Sequence, residues 1–204
     1  MVSSSVYGVE ELLERVYSLL TAFGYEVWMS HKGTIPVSSS QTAFESCLAA
    51  VEKCDCFLGL ITPSYGSGLQ ESGGCSITHL EMKRAIELKK PRWFLAHDHV
   101  VFARRLLIDL GYKGRSERAK LKLQPKAMSI SDLKILDMYE DATMENLPLN
   151  DRQGNWTQKF GSDDDANLFV LAQFSRYQDV ELRLKEQFED RAKVEKNIKG
   201  NRHG

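Results

Sequence analysis

The chain has 204 residues, is 42% hydrophobic and carries a formal net charge of −1. That is enough apolar material for one sizeable core and too little charge imbalance to imply bulk attraction to nucleic acid or a membrane surface. No stretch reaches the roughly 18 unbroken apolar residues of a membrane span, and Met1-Val-Ser-Ser-Ser is no leader sequence, so the reading is cytoplasmic, with no membrane partner.

Residues 9 to 23 place Val9, Leu12, Leu13, Val16, Leu19, Leu20 and Phe23 on one helical stripe, with Gly24 as a stop signal. Tyr25-Glu-Val-Trp-Met29 alternates as a strand does. After a polar loop from Ser30 to Ser40, Phe44, Cys47, Leu48 and Val51 repeat at helical spacing and lead into the apolar run Asp55-Cys-Phe-Leu-Gly-Leu-Ile61. A glycine- and serine-rich loop follows, then a helix from Thr78 to about Lys89 and a strand at Pro91-Arg-Trp-Phe-Leu-Ala96. Strands and helices alternating over short connections argue for a parallel sheet covered by helices on both faces.

Val100 to Leu110 reads as a helix, and Leu133-Lys-Ile-Leu-Asp-Met-Tyr139 as a further strand. Lys113, Arg115, Arg118, Lys120, Lys122 and Lys126, opposed by Glu117 alone, form either a solvated connector or a phosphate-contacting patch. Without an aromatic residue in its middle the patch lacks a base-stacking platform, so nucleic acid is not an expected partner. Residues 146 to 164 read as a polar loop containing Trp156. Asp163-Asp-Asp165 suits the positive end of a closing helix with Val170, Phe174, Tyr177, Val180, Leu184 and Phe188 on one stripe. Its end from Asp190 to Lys199 is polar. The expected organisation is an α/β domain over 1–145, a loop and helix over 146–200, and a frayed tail over 201–204.

Cys47, Cys54, Cys56 and Cys75 lack paired zinc-type spacings and read as reduced structural thiols. His97-Asp-His99 follows a strand, but two histidines two residues apart without further ligands do not specify a metal, and no metal site is expected. Glu81 stands out in the helix after the apolar strand, because open α/β sheets place their ligand crevice where strands end and helices begin. A structural role is open to it as well. Thr78 as N-cap with Glu81 three residues on would be a capping box, stapled by Ile77 and Met82.

Several ordered motifs carry a resemblance. Ser3-Ser-Ser5 before a helix containing Arg15, Cys54-Asp-Cys-Phe-Leu-Gly-Leu-Ile61, Tyr65-Gly66, Ser76-Ile-Thr-His-Leu-Glu81, Ala85 and Lys90-Pro91 together resemble the family of domain of unknown function 4062. That family looks like a branch of the TIR and nucleoside deoxyribosyltransferase group, and the resemblance implies a flavodoxin-like sheet with a C-terminal helical extension. It also implies that Glu81 works on the N-glycosidic bond of NAD or a related nucleotide, with NAD as substrate rather than cofactor. Ser4, Ser5, Tyr65, Gly66 and Ser76 are the implied substrate-binding residues: the serines with free N–H groups for a pyrophosphate, and Tyr65 with a ring to stack on a base. The resemblance further implies an effector of bacterial anti-phage immunity that self-associates or meets a sensor protein, with a silent interaction or nucleotide-sensing module as the alternative. Only Met1 and Val2 precede the serines, so the first strand is expected to be short.

Overall fold

The computed structural model describes residues 1–66, 74–176, 179–186 and 189. Tyr177, Phe188 and the segment from 190 onward, named above, lie outside them. Among the described residues a four-stranded parallel sheet runs in the order β1 (Val2–Ser4), β2 (Phe57–Ile61), β3 (Arg92–His97), β4 (Thr157–Phe160). The helices are α1 (Glu10–Ala22), α2 (Ala43–Lys53), α3 (Ile77–Glu87), α4 (Asp98–Asp109), the single turn α5 (Arg115–Arg118), α6 (Lys134–Thr143) and α7 (Asp163–Phe174). Residues 179–186 are helical again, so the C-terminal extension is two pieces rather than one continuous helix.

Side chains alternate across each strand and build two cores. Val2, Leu58, Leu60 and Leu95 face α1 and α7, whereas Phe57, Ile61, Phe94 and Ala96 face the side covered by α2, α3 and α6. All five residues of β2 are buried, as its unbroken apolar run requires of a strand covered on both faces. With helices on both faces and α1 and α7 sharing one of them, the architecture is flavodoxin-like.

Three elements differ from the sequence reading. Tyr25–Met29 keeps its alternation, with Val27 and Met29 buried, but forms no ladder; a single bond from Val2 N to the Trp28 carbonyl, 2.9 Å, ties it beside β1. Leu133–Tyr139 is the start of α6 rather than a strand, and the buried set Ile135, Leu136, Met138 and Ala142 is a helical face. A short apolar run satisfies both periods, and the Asp132 carboxylate decides for helix by accepting the Lys134 N–H at 2.8 Å. The polar loop from 146 to 164 contains β4, whose side chains are half-exposed or exposed except for Phe160. Its pairing with β3 rests on backbone bonds, and an edge strand with a lysine matches the way natural sheets blunt their edges.

Among the described residues no helix is long and apolar enough to cross a membrane. None of the four cysteines is in a disulfide.

Gly59 sits where β2 passes under two aromatic rings. A Cβ there would lie 2.8 Å from the Phe94 ring and 3.1 Å from the Phe57 ring. Gly59→Ala should therefore overpack this sheet face and cost about 1–3 kcal/mol, read as a lower urea midpoint at unchanged slope.

Candidate functional site

Helices and loops at the carboxyl ends of β1, β2 and β3 enclose the candidate site. A crevice of about 350 Å³ opens there, lined by Tyr7, Gly8, Pro63, Ser64, His97 and His99 among others. It lies where α1 leaves β1 toward one face and α3 follows β2 on the other, the usual ligand position in an open α/β sheet. Tyr7, 69% exposed, offers its ring to the crevice.

Beside β1, on the face covered by α2 and α3, Glu81 is 4% exposed. It is not a cap. Ser76 is the N-cap of α3 and its hydroxyl accepts the His79 N–H at 3.3 Å, so the reciprocal position falls on His79 and Glu81 lies two residues deeper. The capping box expected between Thr78 and Glu81 is thus displaced by a better-placed serine. Instead the Ser3 hydroxyl donates to Glu81 Oε2, and the Cys47 thiol donates from α2. Burial pushes the Glu81 carboxyl up to about 7, with the bonds from Ser3 and Cys47 opposing the rise and no cation among the described residues assisting them. Burial also raises the Cys47 thiol, to about 11, next to the same carboxyl group. The start of α3 does not counter this burial, since the Ser76 cap takes the His79 N–H and Glu81 lies two residues deeper.

The expected binding residues divide. Ser5 shares a face with Ser3, and its hydroxyl bonds with Thr62 Oγ1 and with the Ser64 carbonyl at 2.7 Å. Gly66, at φ +87°, lets the chain turn tightly against Ser5, Thr78 and Ser76; a Cβ there would lie 3.4 Å from Ser5 Cβ. Ser5, Gly66 and Ser76 therefore meet at one place. Ser4 does not join them: strand parity sends its side chain to the opposite face, and its hydroxyl bonds to the Ser5 carbonyl at 2.7 Å. Ser3, passed over in the sequence, is the serine that reaches Glu81.

Tyr65 is not a free stacking platform. Its ring is 3% exposed, edge-on to His79, and its hydroxyl lies 2.8 Å from His79 Nδ1. His79 Nε2 meets Asp141 Oδ2 at 2.8 Å, and Arg115 donates to Asp141 Oδ1 at 2.6 Å. Burial works to raise the Asp141 carboxyl, but the bonds from His79 and Arg115 bring it below its usual range. Arg118, 2% exposed, donates to Asp137 at 2.7 Å and to both oxygens of Glu140. Arg118 is buried and Arg115 keeps an exposed side chain, and acidic α6 pairs with both arginines of the basic segment.

At the rim of the crevice His97, Asp98 and His99 form a candidate ligand-binding cluster, one donor atom from each lying within 4.8 Å of the others. The sequence showed the two histidines; what it did not show is that Asp98 turns back to join them.

A family model described as domain of unknown function (DUF4062) matches residues 1–189, and the chain belongs to that family. No curated protein and no solved structure matches it.

Because the folded state raises the Glu81 carboxyl from 4.5 to about 7, it holds that proton more tightly than the unfolded chain does. The contribution to stability is full below the unfolded value and is lost as pH rises through the folded one. Wild type should lose stability between about pH 4.5 and 7.5, by an amount on the order of 3 kcal/mol at most, and Glu81→Gln should flatten that loss. Urea unfolding of both proteins at pH 5 and pH 8 checks this; a Gln variant less stable than wild type at pH 8 contradicts it.

Proposed function

We propose that this DUF4062 protein binds a nucleotide across the carboxyl edge of its sheet and cleaves the bond between base and ribose, with Glu81 as the reacting carboxylate. The observation that carries the reading is a carboxyl group buried beside the crevice and held by Ser3 and Cys47 instead of a cation. Such perturbed carboxyls concentrate at sites where a proton or a developing positive charge has to be handled. NAD as the substrate class, the TIR-like grouping and an anti-phage effector role come from the resemblance of Ser76-Ile-Thr-His-Leu-Glu81 and the motifs around it.

The chemistry suits such a carboxylate. When the bond between C1′ and the base nitrogen breaks, its electron pair leaves with the nitrogen and positive charge builds on the ribose. An ionised Glu81 stabilises that charge or attacks C1′, and water then supplies the oxygen that replaces the base. A nicotinamide ring in NAD is already cationic and leaves neutral, so no acid is required. Its arrival beside Glu81 lowers the carboxyl pKa and favours the reactive ionised form. Tyr7 is the ring available for stacking, with Ser5 and Ser64 at the phosphate end. At 4% exposure Glu81 meets a ribose only after α2 or α3 shifts, and self-association or a sensor partner is the event proposed to drive that shift.

A second reading, a nucleotide-sensing module without turnover, is favoured by that same burial and by the absence of Glu81 from the residues lining the crevice. The two separate when protein at high concentration, with a crowding agent, is incubated with NAD and nicotinamide release is followed. The enzyme reading expects release that rises from pH 6 to pH 8 as Glu81 ionises and falls roughly 100-fold or more in Glu81→Gln. Thermal stabilisation by the nucleotide without release selects the sensor. Absence of both release and stabilisation sinks the nucleotide reading altogether.

A further inference from the structure

We propose that His97, Asp98 and His99 form a binding site for a divalent transition-metal ion of the zinc class at the rim of the crevice. The three residues span the junction of β3 and α4, where the last strand residue becomes the N-cap of the helix. Two features of their arrangement call for a cation. The His97 ring accepts the backbone N–H of His99 at Nδ1, 3.2 Å away, so that nitrogen carries no proton to give to Asp98, and a metal ion takes its lone pair only by displacing the N–H. Asp98 Oδ1, sheltered from solvent, lies 3.0 Å from the same nitrogen and has no hydrogen-bond partner among the described residues. Two acceptors this close repel each other unless positive charge sits beside them, and the half-exposed Asp98 side chain leaves a cation a way in.

The surroundings pre-organise the donors. Phe160 packs edge-on against the His97 ring at 5.2 Å, and the backbone at Gly161 leaves no room for a side chain beside Asp98, since a Cβ there would fall 3.1 Å from Oδ2. The His99 ring stands 4.7 Å from the His97 ring, centroid to centroid, and both imidazoles line the crevice. Two imidazoles and one carboxylate suit zinc, cobalt or nickel, and disfavour magnesium and calcium, which prefer all-oxygen shells. Three protein donors leave coordination positions open toward the crevice, where water or an anionic ligand oxygen completes the shell.

The site does not rest on the glycosidase reading, and its test uses the metal alone. Titrating the full chain with zinc chloride in calorimetry at pH 7.5 should give one saturable equivalent, with no comparable binding of magnesium. His99→Gln and Asp98→Asn should each weaken it by about tenfold or more. His99 has an exposed side chain, so His99→Gln should leave the metal-free melting temperature unchanged, which separates lost ligation from lost fold. Cobalt(II) should give weak visible bands of nitrogen and oxygen ligation that disappear in His99→Gln. The proposal is overturned by absence of saturable binding, by equal binding in both variants, or by a cobalt spectrum dominated by thiolate charge transfer, which would point to the cysteines.

Discussion

One carboxyl group kept out of water organises the best-formed part of this molecule. Glu81 is reached by Ser3 from the sheet edge and by Cys47 from α2, so a strand and two helices converge on a group that resists being charged there. A buried carboxyl with two weak-to-moderate donors and no cation is poor design for stability alone, since apolar residues of similar volume would pack without the desolvation cost. Ser3 sits on the same sheet face as Phe57 and Ile61, in a position an apolar residue could occupy. Polar groups on both sides of that contact make sense where charge is handled.

A second polar network stands next to it and serves a different purpose. Tyr65, His79, Asp141 and Arg115 form a chain of hydrogen bonds from the loop after β2, through α3, to α6 and α5, and Arg118 clamps α6 from the same turn. Every link has a donor facing an acceptor, and the buried arginine meets carboxylates in forked geometry, the arrangement in which burying such charge is best compensated. The network fixes how α3 lies against α6, and thereby where the helix start that carries Ser76, His79 and Glu81 sits relative to the crevice. It positions; nothing in its geometry leaves a group free to react.

How far the sequence could be read follows from which physical signal each element relies on. The helices around Leu12, Leu13 and Val16, around Phe44 to Val51 and after Ser76, and the strand at 57–61, are legible because burial on a defined face imposes a period or a continuous apolar run. The edge strand at 157–160 is illegible because backbone bonds to β3 hold it, and Thr157, Gln158 and Lys159 bear no trace of that. Residues 133–139 match two periods at once. Motif order named Glu81, Ser5, Gly66 and Ser76 as candidates, and Ser5, Gly66 and Ser76 meet at one place. Ser4 and Ser5 were named for their N–H groups, so the contact of the Ser3 side chain with Glu81 went unread, and Tyr7 carries no pattern that marks it as the exposed ring.

The amino-acid sequence by itself determined the class of fold, the two-sided burial of β2, the family and the carboxylate worth following, because each of these is written in local periodicity or ordered motifs. Tertiary structure alone decided that Glu81 is buried with its carboxyl pushed up by that burial, that Tyr65 belongs to a hydrogen-bonded chain, that α6 pairs with Arg115 and Arg118, and that Asp98 joins His97 and His99. The physical reason is the same in every case. Desolvation, charge pairing and donor geometry depend on which groups meet across long separations in the chain or on how the backbone turns locally, and neither is encoded in the identity or spacing of the residues alone.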